Sequence, residues 1–69
     1  MTPPDPLPEN LKRIRTQRGW SYDDAAQATG LDAEVLQGIE RGSTFLSRSR
    51  IDVLADRLGI DVRELLDPR

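Results

Sequence analysis

The chain has 69 residues, with 12 Asp and Glu, 10 Lys and Arg, and neither Cys nor His. That length holds one domain with a thin stability margin, and the missing Cys and His exclude disulfides, thiolate metal sites and imidazole catalysis and leave zinc without its usual ligands. The net charge of −2 does not favour general nucleic-acid binding, no segment approaches the ~20 apolar residues of a membrane span, and MTPPDPLP lacks the basic start and apolar run of a signal peptide, so cytoplasm is the expected compartment.

Residues 1–8 hold four of the five prolines and read as a flexible, extended arm, with the domain proper over 9–67. Helix 1 starts near Pro8, which a first turn tolerates, shows Leu11 and Ile14 on one face and ends at Gly19. Ser21 is a fitting N-cap for helix 2, with Asp24 three residues on to complete a capping box, and Gly30 closes that helix. Asp32 caps helix 3, whose Val35, Leu36 and Ile39 follow helical spacing up to Gly42. Ser47 or Ser49 opens helix 4, with Ile51, Leu54, Ala55 and Leu58 inward and Gly59 at its end. Asp61 and Glu64 form a second capping box for a short helix 5 carrying Val62, Leu65 and Leu66, and Pro68 stops the chain. No period-2 run marks a strand. The expected class is all-α, a compact five-helix domain whose short helices cross steeply around one small core.

Charge is unevenly spread along these helices. Residues 9–18 carry a net +3, residues 19–40 a net −5 and residues 41–50 again a net +3. Two basic segments therefore flank an acidic helix-turn-helix outline, WSYDDAAQATGLDAEVLQGIE, which contains no Lys or Arg. Solvated helix faces account for such runs as readily as a binding surface does.

LKRIRTQRGWS, the IERG that ends helix 3, and LADRLGI twelve residues further on resemble the phage repressor and Cro-type (XRE-like) helix-turn-helix family, without a gap from Leu11 to Leu66. The resemblance implies a repressor-like fold in which helix 3 (residues 32–41) enters the major groove of double-stranded DNA and helix 2 crosses the backbone. The base-facing positions it implies are Asp32, Ala33, Glu34, Gln37 and Gly38. Tyr22 matches a position that often contacts phosphate, and the loop with Ser43 and Thr44 usually touches phosphates too. Arg48 and Arg50 are the best further phosphate candidates, with Arg13 and Arg18 next. Arg15 and Glu40 match a buried ion pair of structural importance, which the fork of a guanidinium suits. The family implies a homodimer and no cofactor or metal.

Three departures shape the functional reading. Ala33 and Gly38 have no hydrogen-bonding side chain, Asp32 and Glu34 only accept, and Gln37 is the one flexible reader; for Asp32 a plain N-cap is the competing role. Relatives often have leucine where this chain has Trp20, Ala25 and Thr29, so the indole is expected to fill volume that Ala25 and Thr29 leave. Phe45 and Leu46 stand where relatives often have a polar residue and a proline. Two large apolar side chains in a surface loop call for a partner or dimer contact, or for a fold-back onto the core. The expected function is a sequence-specific DNA-binding transcriptional regulator. The alternative is a protein–protein interaction module that keeps the fold, with the 43–48 loop as its contact and DNA reading weakened. Enzyme chemistry is not expected, since no glycine-rich phosphate loop and no convincing pair of reactive groups is present.

Overall fold

Serine and glycine divide the chain into helices largely where the sequence places them. The computed structural model describes residues 6–67. Among these, five helices form: α1 (Leu7–Gln17), α2 (Tyr22–Thr29), α3 (Ala33–Arg41), α4 (Arg48–Leu58) and α5 (Arg63–Leu66). At the start of α2 the Ser21 hydroxyl accepts from the Asp24 N–H at 3.1 Å, and the Asp24 carboxylate accepts from the Ser21 N–H at 3.1 Å. This reciprocal box satisfies amides that a helix start leaves without partners. Ser47, rather than Ser49, caps α4. α2 and α3 end on Gly30 and Gly42 with φ of 76° and 78°, a left-handed conformation that glycine adopts without steric cost.

At three helix starts the structure adds to or departs from the sequence expectation. α1 begins at Leu7, so residues 7 and 8 belong to the helix and not to the arm. Prolines are tolerated in a first turn because its amides lack helical acceptors anyway, and Leu7, only 3% exposed, anchors that turn in the core. Of the expected arm, residues 1–5 lie outside the described residues. Asp32 does stand at the N-cap of α3, but its side chain makes no capping bond. The Asp61–Glu64 box does not form. Asp61 Oδ1 instead accepts from the Arg63 N–H at 2.9 Å, the two-residue reach of an Asx turn. That N–H, aided by the Arg63 side chain, holds the Asp61 carboxyl below its usual pKa.

The core draws Leu7, Leu11 and Ile14 from α1, Leu36 and Ile39 from α3, Ile51, Leu54 and Leu58 from α4, and Leu65 from α5. α3 packs against both α1 and α2, α1 also packs on α5, and α2 packs on α4. Each large apolar side chain buried in this way contributes about 1.5–3 kcal/mol. Asn10, which periodicity passes over, is buried between α1 and α5 and donates to the Leu65 and Asp67 carbonyls, both at 2.8 Å. Trp20 is half-buried and packs against the core but is not itself part of the buried set. Thr29 bonds within its own turn. Its hydroxyl donates to the Ala25 carbonyl at 2.8 Å and accepts from the Leu31 N–H at 3.3 Å, which stiffens the turn between α2 and α3. Among the described residues no helix is long and apolar enough to cross a membrane.

Candidate nucleic-acid interface

The outer face of α3 is defined by what its inner face buries. Leu36 and Ile39 are almost wholly buried, so positions 34, 37, 38 and 41, three and four apart, share the side turned away from the core. Asp32, Glu34 and Arg41 are exposed, whereas Ala33, Gln37 and Gly38 are half-buried.

The inner side of the unit is held by a charged interlock. Arg15 forks onto Glu40, with Nε–Oε2 at 2.7 Å and Nη2–Oε1 at 3.2 Å, and also donates to the Trp20 carbonyl at 2.8 Å. Their side chains are 13% and 4% exposed. The hydrogen bond to Glu40 raises the Arg15 pKa above its usual value, against the opposing effect of burial. The Arg15 guanidinium also lies 4.2 Å from the centre of the Tyr22 ring, a cation–π distance. Tyr22 donates its hydroxyl to Glu40 Oε1 at 3.2 Å. One carboxylate on α3 thus gathers α1 and α2, and the Tyr22 hydroxyl has an acceptor inside the protein.

Gly38 also seats the loop that follows α3. Its carbonyl accepts from the Ser43 N–H at 2.9 Å, the Thr44 N–H at 3.1 Å and the Ser43 hydroxyl at 3.2 Å. The loop after α3 therefore folds back onto the helix. A Cβ on Gly38 would lie 3.1 Å from Thr44 Cβ and still closer to Thr44 Oγ1, so glycine is what lets the loop approach.

The predicted phosphate contacts fall into separate places. Arg48 and Arg50 open α4, both exposed. Arg50 borders a shallow cleft with Thr29 and Leu31, beside the α2–α3 turn. Arg18 lies at the other end of α4, where Nη2 donates to the Leu58 carbonyl at 2.9 Å and the guanidinium sits 5.0 Å from the Trp20 ring centre. A helix of 11 residues separates those ends by roughly 15 Å. Arg13 donates to Asn10 Oδ1 at 2.8 Å. It shares a cleft of about 550 Å³ with Leu7, Glu40, Arg41, Phe45 and Leu46. Leu46 packs onto the core, as a fold-back requires, while Phe45 is 84% exposed. Arg41, exposed at the end of α3, was counted in the basic segment but not singled out as a contact. Its position on the outer helix face was the available signal.

A family model described as a helix-turn-helix domain matches residues 7–67. The chain is 36% identical over 61 residues to the HTH-type transcriptional regulator DdrOP3 of Deinococcus deserti, covering 88% of this chain and 47% of that protein. Among solved structures, the restriction-modification controller protein C.AhdI from Aeromonas hydrophila is similar at 37% identity and a TM-score of 0.77, with 87% of this chain and 91% of that one covered. The DNA-binding domain of BldD is similar at 34% identity and a TM-score of 0.80, with 90% of each chain covered. The chain spans about half the length of the curated relatives it matches. A match that takes in every helix from α1 to α5 leaves one conclusion: the chain belongs to the helix-turn-helix family of the repressor and Cro (XRE-like) type, a family of transcription regulators and not of enzymes.

Proposed function

We propose that the protein is a sequence-specific, DNA-binding transcriptional regulator that acts as a homodimer, with α3 in the major groove and the start of α4 on the phosphate backbone. The observation that carries this reading is the position of Arg50. It borders the same cleft as Thr29 and Leu31, so a guanidinium without a partner among the described residues lies next to the turn that leads into α3. Arg48 is two residues away and exposed. Similarity to the DNA-binding domain of BldD supports the same assignment.

The acidic character of α2 and α3 is compatible with it. Glu34 and Asp32 address cytosine amino groups at most, and Gln37 pairs best with adenine. Affinity then comes mainly from arginine–phosphate contacts, among them Arg41, Arg48 and Arg50, and falls steeply with salt. Tyr22, Arg13 and Arg18 contribute less, because each already bonds an acceptor within the protein. Ser43 and Thr44 lie in the loop on the same side of α3 as Gly38.

A second reading, a protein-interaction module, draws on one observation: Phe45 is exposed on a loop that is otherwise well anchored. Selection from a randomised duplex pool at two salt concentrations separates the two. Enrichment of a palindrome, abolished by Arg48→Glu with Arg50→Glu, is the expected result. Flat recovery at low salt, with any partner binding untouched by the double reversal, moves the assignment to the second reading.

A further inference from the structure

We propose that Thr44 determines sequence specificity by reading, with its hydroxyl, the base edge that a side chain at position 38 would otherwise meet. This rests on the DNA-reading function above and deepens it.

The argument starts from an empty position. Gly38 lies on the outer side of α3 with Glu34 one turn before it and Gln37 beside it, yet it presents no side chain. The space is not vacant. Thr44 fills it: its Cβ stands 3.1 Å from where a Cβ on Gly38 would be, and its Oγ1 is nearer still. The loop is fixed in that place, because the Ser43 N–H, the Thr44 N–H and the Ser43 hydroxyl converge on the Gly38 carbonyl. A side chain held by a rigid backbone is what discrimination between bases requires, since a mobile one adapts to the wrong base as well.

The chemistry of the residue fits that place. Thr44 is half-buried, and among the described residues its hydroxyl makes no hydrogen bond. A hydroxyl both donates and accepts, so it can address either kind of group on a base edge, and the γ-methyl beside it suits an apolar neighbour such as the thymine methyl. On a helix where Ala33 and Gly38 offer nothing and Glu34 only accepts, Thr44 joins Gln37 as a second adaptable reader. A phosphate contact is the competing role for a residue of this loop, and the two roles differ in what a substitution does. Losing a phosphate contact weakens all sequences about equally, whereas losing a base contact relaxes preference at one position.

Selection from a randomised duplex pool with the intact chain, Thr44→Val, Thr44→Ser and Gly38→Ala tests this. Thr44→Val keeps the shape and removes the hydroxyl; it is expected to lose roughly five- to tenfold of preference at one base pair per half-site while the rest of the motif stays. Thr44→Ser, which retains the hydroxyl, keeps that preference. Gly38→Ala must push Thr44 aside and changes preference at the same base pair. A Thr44→Val motif identical to the parent's, with affinity lowered evenly, overturns the proposal and leaves the regulator reading standing. Failure of the parent chain to enrich any motif overturns both.

Discussion

The two basic segments carry the same net charge of +3, and the structure uses them differently. In α1 and its end, Arg13, Arg15 and Arg18 each donate to an acceptor of the protein: Asn10, Glu40 with the Trp20 carbonyl, and the Leu58 carbonyl. In the segment that closes α3 and opens α4, the Arg41 and Arg50 side chains donate to nothing among the described residues, and that of Arg48 reaches only Asp52, at 3.5 Å. In the first group Arg15 and Arg18 tie elements to one another and Arg13 is held within α1; the second group is available to a ligand. Net charge along a sequence cannot make that distinction, because what assigns an arginine to the fold is whether an acceptor of the protein lies within reach.

The comparison breaks most decisively at Arg15. Arg15→Ala removes one partner of a buried pair and leaves the Glu40 carboxylate, 4% exposed, without its counter-charge. A change of that kind costs about 3–5 kcal/mol, against a total stability of about 5–15 kcal/mol that is smallest for short chains. The expected result is loss of the cooperative thermal transition, followed by circular dichroism. A melting temperature within a few degrees of the parent's would mean that the interlock is not what holds α1, α2 and α3 together. By contrast, Arg48→Glu with Arg50→Glu is expected to leave the melt within about 0.5 kcal/mol of the parent, since exposed side chains away from structural features rarely matter more.

Arg18 tests the division from the other side, because the sequence put it among the phosphate contacts. Its bond to the Leu58 carbonyl caps the end of α4, where a cation also meets the negative end of the helix dipole. Arg18→Ala is expected to cost about 1 kcal/mol, or roughly 4–8 °C in melting temperature. DNA affinity should change less than about twofold. If affinity falls tenfold while the melt holds, Arg18 belongs with Arg48 and Arg50.

Most of the fold was legible in the sequence because it is written in local chemistry. Ser21 with Asp24, Gly30 and Gly42 mark helix ends by bonds that close within a few residues, and Leu54, Ala55 and Leu58 lie inward as the helical period requires. What stayed hidden depends on distant partners. Asn10 reads as a polar surface residue until its acceptors, 55 and 57 residues away, come into place. Asp61 and Glu64 have the spacing of a capping box, but spacing does not say whether the backbone between them turns as a helix or as an Asx turn. The candidate site was legible by position and not by role. Helix 3 and its flanking loop stand where the sequence put them, yet Gly38 turned out to seat the loop, and Tyr22 to bond Glu40, because both roles follow from how neighbouring elements approach.

The finest test lies inside the second group, at the pair of Arg48 and Asp52. Its side chains are 67% and 55% exposed, and its Nε–Oδ1 distance of 3.5 Å is long for an ion pair. A pair of this kind one helical turn apart contributes about 0.3–0.5 kcal/mol at most. Asp52→Asn therefore changes stability by no more than a few tenths of a kcal/mol, a shift at the edge of what a melt resolves. Its effect on DNA should be of the opposite sign. Removing a negative charge beside Arg48 frees that guanidinium and reduces repulsion from the phosphates, so affinity rises roughly twofold at low salt and less at high salt, where screening shortens the reach of the charge. A variant that loses more than about 1 kcal/mol of stability and gains no affinity would show Arg48 to be held by the fold after all. Arg48 would then move to the first group, and Arg41 and Arg50 would be left as the pair on which phosphate binding rests.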